Sequence, residues 1–145
     1  MPDLLFSVEV AVGVLVALVV AYVLLMVGRR RAIGRGRVLT MCAVQAEGMR
    51  HWRSGFVRFG NGVVEWYPLG GISLRPRHQW ERADLDVSAA RPVGPNEGLD
   101  VIRDAVRIDC RHNGETFGLA LSAPAYTALR SWLESAPPGP ASSVT

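Results

Sequence analysis

A chain of 145 residues, 49% hydrophobic and with a formal net charge of +3, holds either one ordinary domain or a membrane segment plus one small domain. Its positive excess lies in residues 29–37, which carry five Arg, whereas residues 38–145 balance eleven Arg against eleven Asp plus Glu. Nucleic-acid binders carry their basic excess on the folded domain, so composition argues against a nucleic-acid partner.

The first element is apolar. No charge occurs from Val10 to Val27, and Leu4, Leu5 and Phe6 extend the run past the roughly 20 residues that cross a ~30 Å hydrocarbon core. A core helix of a globular domain keeps a polar face, and this segment has none. Residues 1–28 are therefore expected to be a transmembrane anchor. Met1-Pro2-Asp3 is not a positive n-region, and no small-x-small site precedes the arginines, so a cleaved export signal fits poorly. Arg29, Arg30, Arg31, Arg35 and Arg37 form a basic juxtamembrane linker over 29–37. Arginines beside a span stay on the cytoplasmic side, which predicts a single-pass protein of the cell membrane with its amino terminus outside. The same guanidinium groups are expected to contact anionic headgroups, at about 1 kcal/mol each.

From residue 38 the pattern reads as strands, at 38–46, 53–59, 63–68, 77–81 and 84–89. Asn61-Gly62 and Asn113-Gly114 lie between runs rich in β-formers and mark hairpins. Around the second, Val106, Ile108 and Cys110 alternate with charged residues, and Phe117, Leu119 and Leu121 alternate with Gly118 and Ala120. Period two on both sides puts one face toward a core. Residues 92–100, rich in Pro and Gly, read as a loop. Ser122 can cap a helix over 123–135, with Pro124 in its first turn and Tyr126, Leu129, Trp132 and Leu133 on one stripe. The tail at 137–145 has too little apolar surface to fold and is expected to be disordered. The folded region is thus 38–136, a mainly-β domain. About seven short antiparallel strands followed by one amphipathic helix bury that stripe only as a small barrel or sandwich plugged by the helix. This is the element order of pleckstrin-homology-like domains.

Chemistry is sparse. Gly71-Ile72-Ser73-Leu74-Arg75 begins like a nucleophile elbow but lacks its last glycine and its helix. His51, His78 and His112 lack metal-site spacing and read as solvated strand ends, and Asp84 and Asp86 as exposed strand charges. Cys42 and Cys110, without a CxxC, read as buried free thiols. Trp52, Trp66 and Trp132 fall in phase with apolar neighbours and are expected in the core. No catalytic residue, metal or cofactor is expected. One constellation stands out in Leu74–Arg82, where Arg75, Arg77 and Arg82 surround Trp80. The guanidinium fork suits phosphate and carboxylate groups, and Trp80 either sits at a membrane interface or packs inward. A short tether would confine contacts to the near pole and flanks of the barrel, where these three arginines are the candidates.

Trp52-Arg53-Ser54-Gly55, Glu65-Trp66-Tyr67, Leu74-Arg75-Pro76-Arg77 and Ser131-Trp132-Leu133-Glu134-Ser135-Ala136-Pro137-Pro138-Gly139 resemble the recurring blocks of an actinobacterial membrane-protein family catalogued as domain of unknown function 2550. The resemblance spans nearly the whole chain and implies organisation rather than activity. Members are often encoded beside ATP synthase genes, which implies a bioenergetic-membrane context. Together these readings predict a non-enzymatic binding or scaffold domain, anchored in the lipid bilayer and partnered by a membrane protein. The alternative is a sensor of anionic lipid or phosphate headgroups at the inner leaflet.

Overall fold

The computed structural model describes residues 2–34 and 36–135, which divide into a helical unit and a β-rich unit. Arg35 and the tail at 137–145 lie outside the described residues. Helix α1 (Pro2–Gly34) is 33 residues long, about 50 Å at 1.5 Å per residue. It is long and apolar enough to cross a membrane. Its large apolar side chains are exposed along nearly all of Leu4 to Val27, so no stripe turns toward a protein core. The Ser7 hydroxyl donates to the Asp3 carbonyl at 2.7 Å, which satisfies it within the helix. Residues 29–34 of the expected linker are helical rather than a loose tether. Arg, Ala and Ile all accept helix, and Gly28, at about 1 kcal/mol, is too weak a breaker on its own.

The β-rich unit comprises β1 (Leu39–Ala46), β2 (Arg53–Phe59), β3 (Val63–Pro68), β4 (His78–Glu81), β5 (Leu85–Val87), β6 (Arg91–Pro92), β7 (Ala105–His112), β8 (Glu115–Ser122) and α2 (Ala123–Glu134). The strands form one antiparallel sheet in the order β4-β3-β2-β1-β8-β7-β5, with β6 beside β7. This nearly closed sheet with a carboxyl-terminal helix is the pleckstrin-homology-like barrel expected from element order. β2 and β3 coincide with the expected strands. The strand expected over 84–89 shrinks to β5, because Arg82–Asp84 form a 3-10 turn. The loop at 92–100 contributes Pro92 to β6, a two-residue edge strand where proline is tolerated.

The two Asn-Gly turns differ. Asn113 (φ 51°) and Gly114 (φ 85°) are both left-handed, as a two-residue type I′ hairpin requires. At the β2–β3 turn only Gly62 (φ 83°) is, and the Gly60 N–H donates to the Val63 carbonyl at 2.8 Å.

The barrel interior is filled by Val64, Trp66, Ile108, Leu119 and Leu121 from the sheet and by Leu129 from α2. Gly55 is fixed by this packing, since a Cβ there would lie 2.2 Å from the Tyr67 carbonyl oxygen and 2.8 Å from the Trp66 indole. A second, smaller core lies on the outer face of the sheet, where Leu99 and Ile102 cover Ala43 and Ala120, with Trp52 and Val93 beside them. β1 and β8 are therefore covered on both faces, which explains their small outward residues. A side chain at Gly118 would meet the Trp52 ring at 3.1 Å.

Candidate binding surface at the open end of the barrel

The two ends of the barrel are built differently. Register pairs Leu39 with Arg58, so β1 begins at the end where β2 turns into β3. α2 closes that end. Its Ser122 cap accepts from the Ala125 N–H at 3.4 Å, and Ala125 and Leu129 are buried in the core. Trp132 Nε1 donates to the Gly60 carbonyl at 2.9 Å, and its ring lies 6.0 Å from that of Phe59. The Arg82 guanidinium stands 4.3 Å over the Trp132 ring, a cation–π contact.

The opposite end is open. It is framed by the β1–β2 loop (residues 47–52), the β3–β4 loop (69–77) and the Asn113-Gly114 turn. Between them lies a cleft of about 290 Å³ lined by Val44, Ala46, Glu47, His78, Trp80, Glu115, Thr116 and Phe117. Strand alternation makes it, because Val44, Trp80 and Phe117 are inward residues near the mouth and belong to the core. The Trp80 and Phe117 rings stack at 4.5 Å and 12°, and His78 stacks on Trp80 at 5.6 Å and 4°. His78 also lies 5.5 Å from the Trp66 ring. Burial of its ring lowers the His78 pKa; neighbouring Arg77 and Arg53 lower it further, and Glu115 opposes them.

Ion pairs join Arg58 to Glu65, Arg91 to Asp109, Arg107 to Glu97 and Asp109, Arg111 to Asp86, and Arg130 to Glu134, and none of these residues lines the cleft. At the open end Arg50, Arg53, Arg75, Arg77, Glu47 and Glu115 form no ion pair among the described residues. The β3–β4 loop also exposes Leu69, Ile72 and Leu74, and residues 69–77 contain no Asp or Glu.

The sequence-predicted site residues therefore part company. Arg75 and Arg77 are exposed at the open end. Arg82 is half-buried at the closed end, on the far side of β4, so the three arginines do not form one cluster. Trp80 is buried, at 6% exposure, and is the floor of the cleft rather than an exposed interface residue. Arg29, Arg30 and Arg31 occupy the last turns of α1, and Arg37 follows it. Of the expected core tryptophans, Trp66 is fully buried, whereas Trp132 and Trp52 are half-buried, the latter on the outer face with the Arg107 guanidinium 5.4 Å over its ring. His78 is the exposed first residue of β4, as expected, and its ring also joins the aromatic stack. His112 Nε2 accepts the Glu81 N–H at 3.2 Å across the gap between β7 and β4.

Burial raises the thiol pKa of Cys42, against the neighbouring Trp66 indole. Cys110 is pushed up to about 12, by burial first and then by Asp109 and Asp86. Thiols so held are inert. The Ser73 hydroxyl accepts the Arg75 N–H at 3.1 Å, a local turn contact. Among the described residues no three His, Cys, Asp or Glu side chains converge as a metal site.

A family described as "Protein of unknown function (DUF2550)" matches residues 15–139. Over 99 residues the chain is 27% identical to the uncharacterized protein Rv1312 of Mycobacterium tuberculosis, covering 65% of this chain and 67% of that one. Over 100 residues it is 28% identical to the uncharacterized protein ML1147 of Mycobacterium leprae, with the same coverage of 65% and 67%. Among solved structures, the pleckstrin homology domain of ArhGAP27 is similar with a TM-score of 0.43 and 11% identity, over 67% of this chain and 96% of that domain.

Proposed function

Because the chain belongs to the DUF2550 family of proteins of unknown function, which supplies no activity, we propose from its own residues that it is a single-span, membrane-anchored binding module. α1 crosses the cell membrane, and the arginines that follow hold the barrel in the cytoplasm, since moving them through the bilayer is costly. The barrel binds rather than catalyses, and its recognition surface is the open end. One observation carries this reading. The end where β1 begins is plugged by α2, with Trp132 bonded to Gly60 and Arg82 stacked over Trp132, while the other presents an apolar cleft, exposed aliphatic side chains and arginines that form no ion pair among the described residues. Concave apolar sites with a few polar groups at the rim are the usual form of a binding surface.

A second reading, an anionic headgroup sensor, is favoured by Ile72 and Leu74 beside Arg75 and Arg77 in a segment without carboxylates. Aliphatic side chains that enter the interface and guanidiniums that meet headgroups are a membrane-binding combination. Glu47 and Glu115 at the cleft weigh against it.

Anchoring and orientation are tested together. A reporter active only in the cytoplasm, fused after Thr145, works, and the full-length protein stays uncleaved in the membrane fraction. Activity of an export-dependent reporter alone, or a mature chain starting near Arg29, contradicts the reading.

A further inference from the structure

Resting on the binding-module reading, we infer that the mouth cleft takes a peptide segment of a protein partner that inserts one apolar side chain and carries charges of both signs beside it. Size comes first. At about 290 Å³ the cleft lies at the bottom of the range for ligand sites, about 300–1,000 Å³, which is room for one side chain rather than a cofactor. Its floor is Val44 with the stacked pair Trp80 and Phe117. Both aromatic rings are held by the core, so the hole is preformed and an anchor entering it loses little to rearrangement.

The rim fixes the sign pattern. The wall made by β1 and β8 carries Glu47 and Glu115. Arg53 stands in register with Val44 of the cleft floor, and Arg77 immediately precedes His78 of its lining, whose ring feels both charges. None of the four is in an ion pair among the described residues, whereas Arg58, Arg91, Arg107, Arg111 and Arg130 are. An apolar hole ringed by uncommitted charges is the layout of a buried anchor with a polar rim. A bilayer surface cannot fill a concave cleft, and an anionic headgroup placed there would meet two carboxylates. A peptide can place an acidic residue toward Arg53 and Arg77 and a basic one toward Glu47 and Glu115. Ile72 (71% exposed) and Leu74 (57% exposed), on the loop leading into β4, extend the contact.

The test uses the full-length protein in phosphatidylcholine nanodiscs and short dye-labelled peptides, read by fluorescence anisotropy. A peptide with Phe between a Lys pair and an Asp pair binds saturably, and its Ser-for-Phe version binds at least about tenfold more weakly. Ala46→Phe, which fills the cleft from its wall, abolishes binding. Glu47→Lys with Glu115→Lys, at two exposed positions, moves the preference to an all-acidic anchored peptide. Arg53→Glu with Arg77→Glu moves it to an all-basic one. The inference is overturned if the Phe and Ser peptides bind alike, if charge swaps leave the preference unchanged, or if phosphatidylserine vesicles bind this end while no peptide does. Should every peptide fail while cross-links from Ile72 still trap a membrane protein, only the peptide chemistry falls. Loss of both removes the binding-module reading as well.

Discussion

The closed and open ends of this barrel are made from the same strands, yet they use their side chains in opposite ways. At the closed end an indole, a guanidinium and a helix cap are all engaged within the fold, by Trp132 on Gly60, Arg82 on Trp132 and Ser122 on Ala125. At the open end arginines and glutamates surround stacked aromatic rings and stay uncommitted. Trp132, Arg82 and Ser122 are explained by stability, whereas Glu47, Glu115, Arg53 and Arg77 are not. That separation lets each end be tested by a different measurement.

The largest effect belongs to the plug. Leu129 is 1% exposed, so Leu129→Ala should lower stability by roughly 2–5 kcal/mol, the range for large-to-small core changes. A small domain stable by about 5–15 kcal/mol would then be near unfolding. Leu74→Ala, at the open end, should change stability by less than about 0.5 kcal/mol. Thermal unfolding of the detergent-solubilised protein, followed by tryptophan fluorescence, compares the two. Equal losses would abolish the distinction.

Trp132→Phe keeps a ring beside Phe59 but removes the N–H that reaches Gly60. It should cost about 1 kcal/mol, the net worth of one hydrogen bond. The arginines sharpen the comparison further. Arg82→Ala loses a half-buried cation–π contact and should cost about 0.5–1 kcal/mol. Arg75→Ala with Arg77→Ala should leave stability within about 0.5 kcal/mol, because exposed charges contribute little.

The smallest effect is a pH slope. His78 has its folded pKa below the ordinary value of 6.5. The unfolded chain therefore binds the proton more readily, and stability rises with pH through that region. The contribution is complete above the unfolded value and is lost as pH falls toward the folded one. His78→Gln should flatten the stability–pH curve between about pH 7.5 and 5, the range around the imidazole pKa. An unchanged slope would place the histidine away from its stack.

Much of this fold is legible in the sequence. Asn61-Gly62 and Asn113-Gly114 place both hairpins, and the Tyr126–Leu133 stripe gives the plug, because turn chemistry and periodicity are local. The outer core is not legible, since Val93, Leu99 and Ile102 have no period. Its one local sign is the run of small residues Ala43, Gly118 and Ala120 that it covers. Arg75, Arg77 and Arg82 look like one cluster along the chain, but the four residues of β4 carry them to opposite ends. The cleft itself joins β1, β4 and β8, which only the folded sheet brings together.

Site-specific photo-cross-linking in native membranes tests the account most directly. A photoreactive residue replaces Ile72 or Thr116 at the open end in one set, and exposed Thr127 or Arg130 on α2 in the other. The account predicts a discrete protein adduct from the first set, lost with Ala46→Phe, and none from the second. Adducts from α2 alone, or the same adducts from both ends, would contradict it.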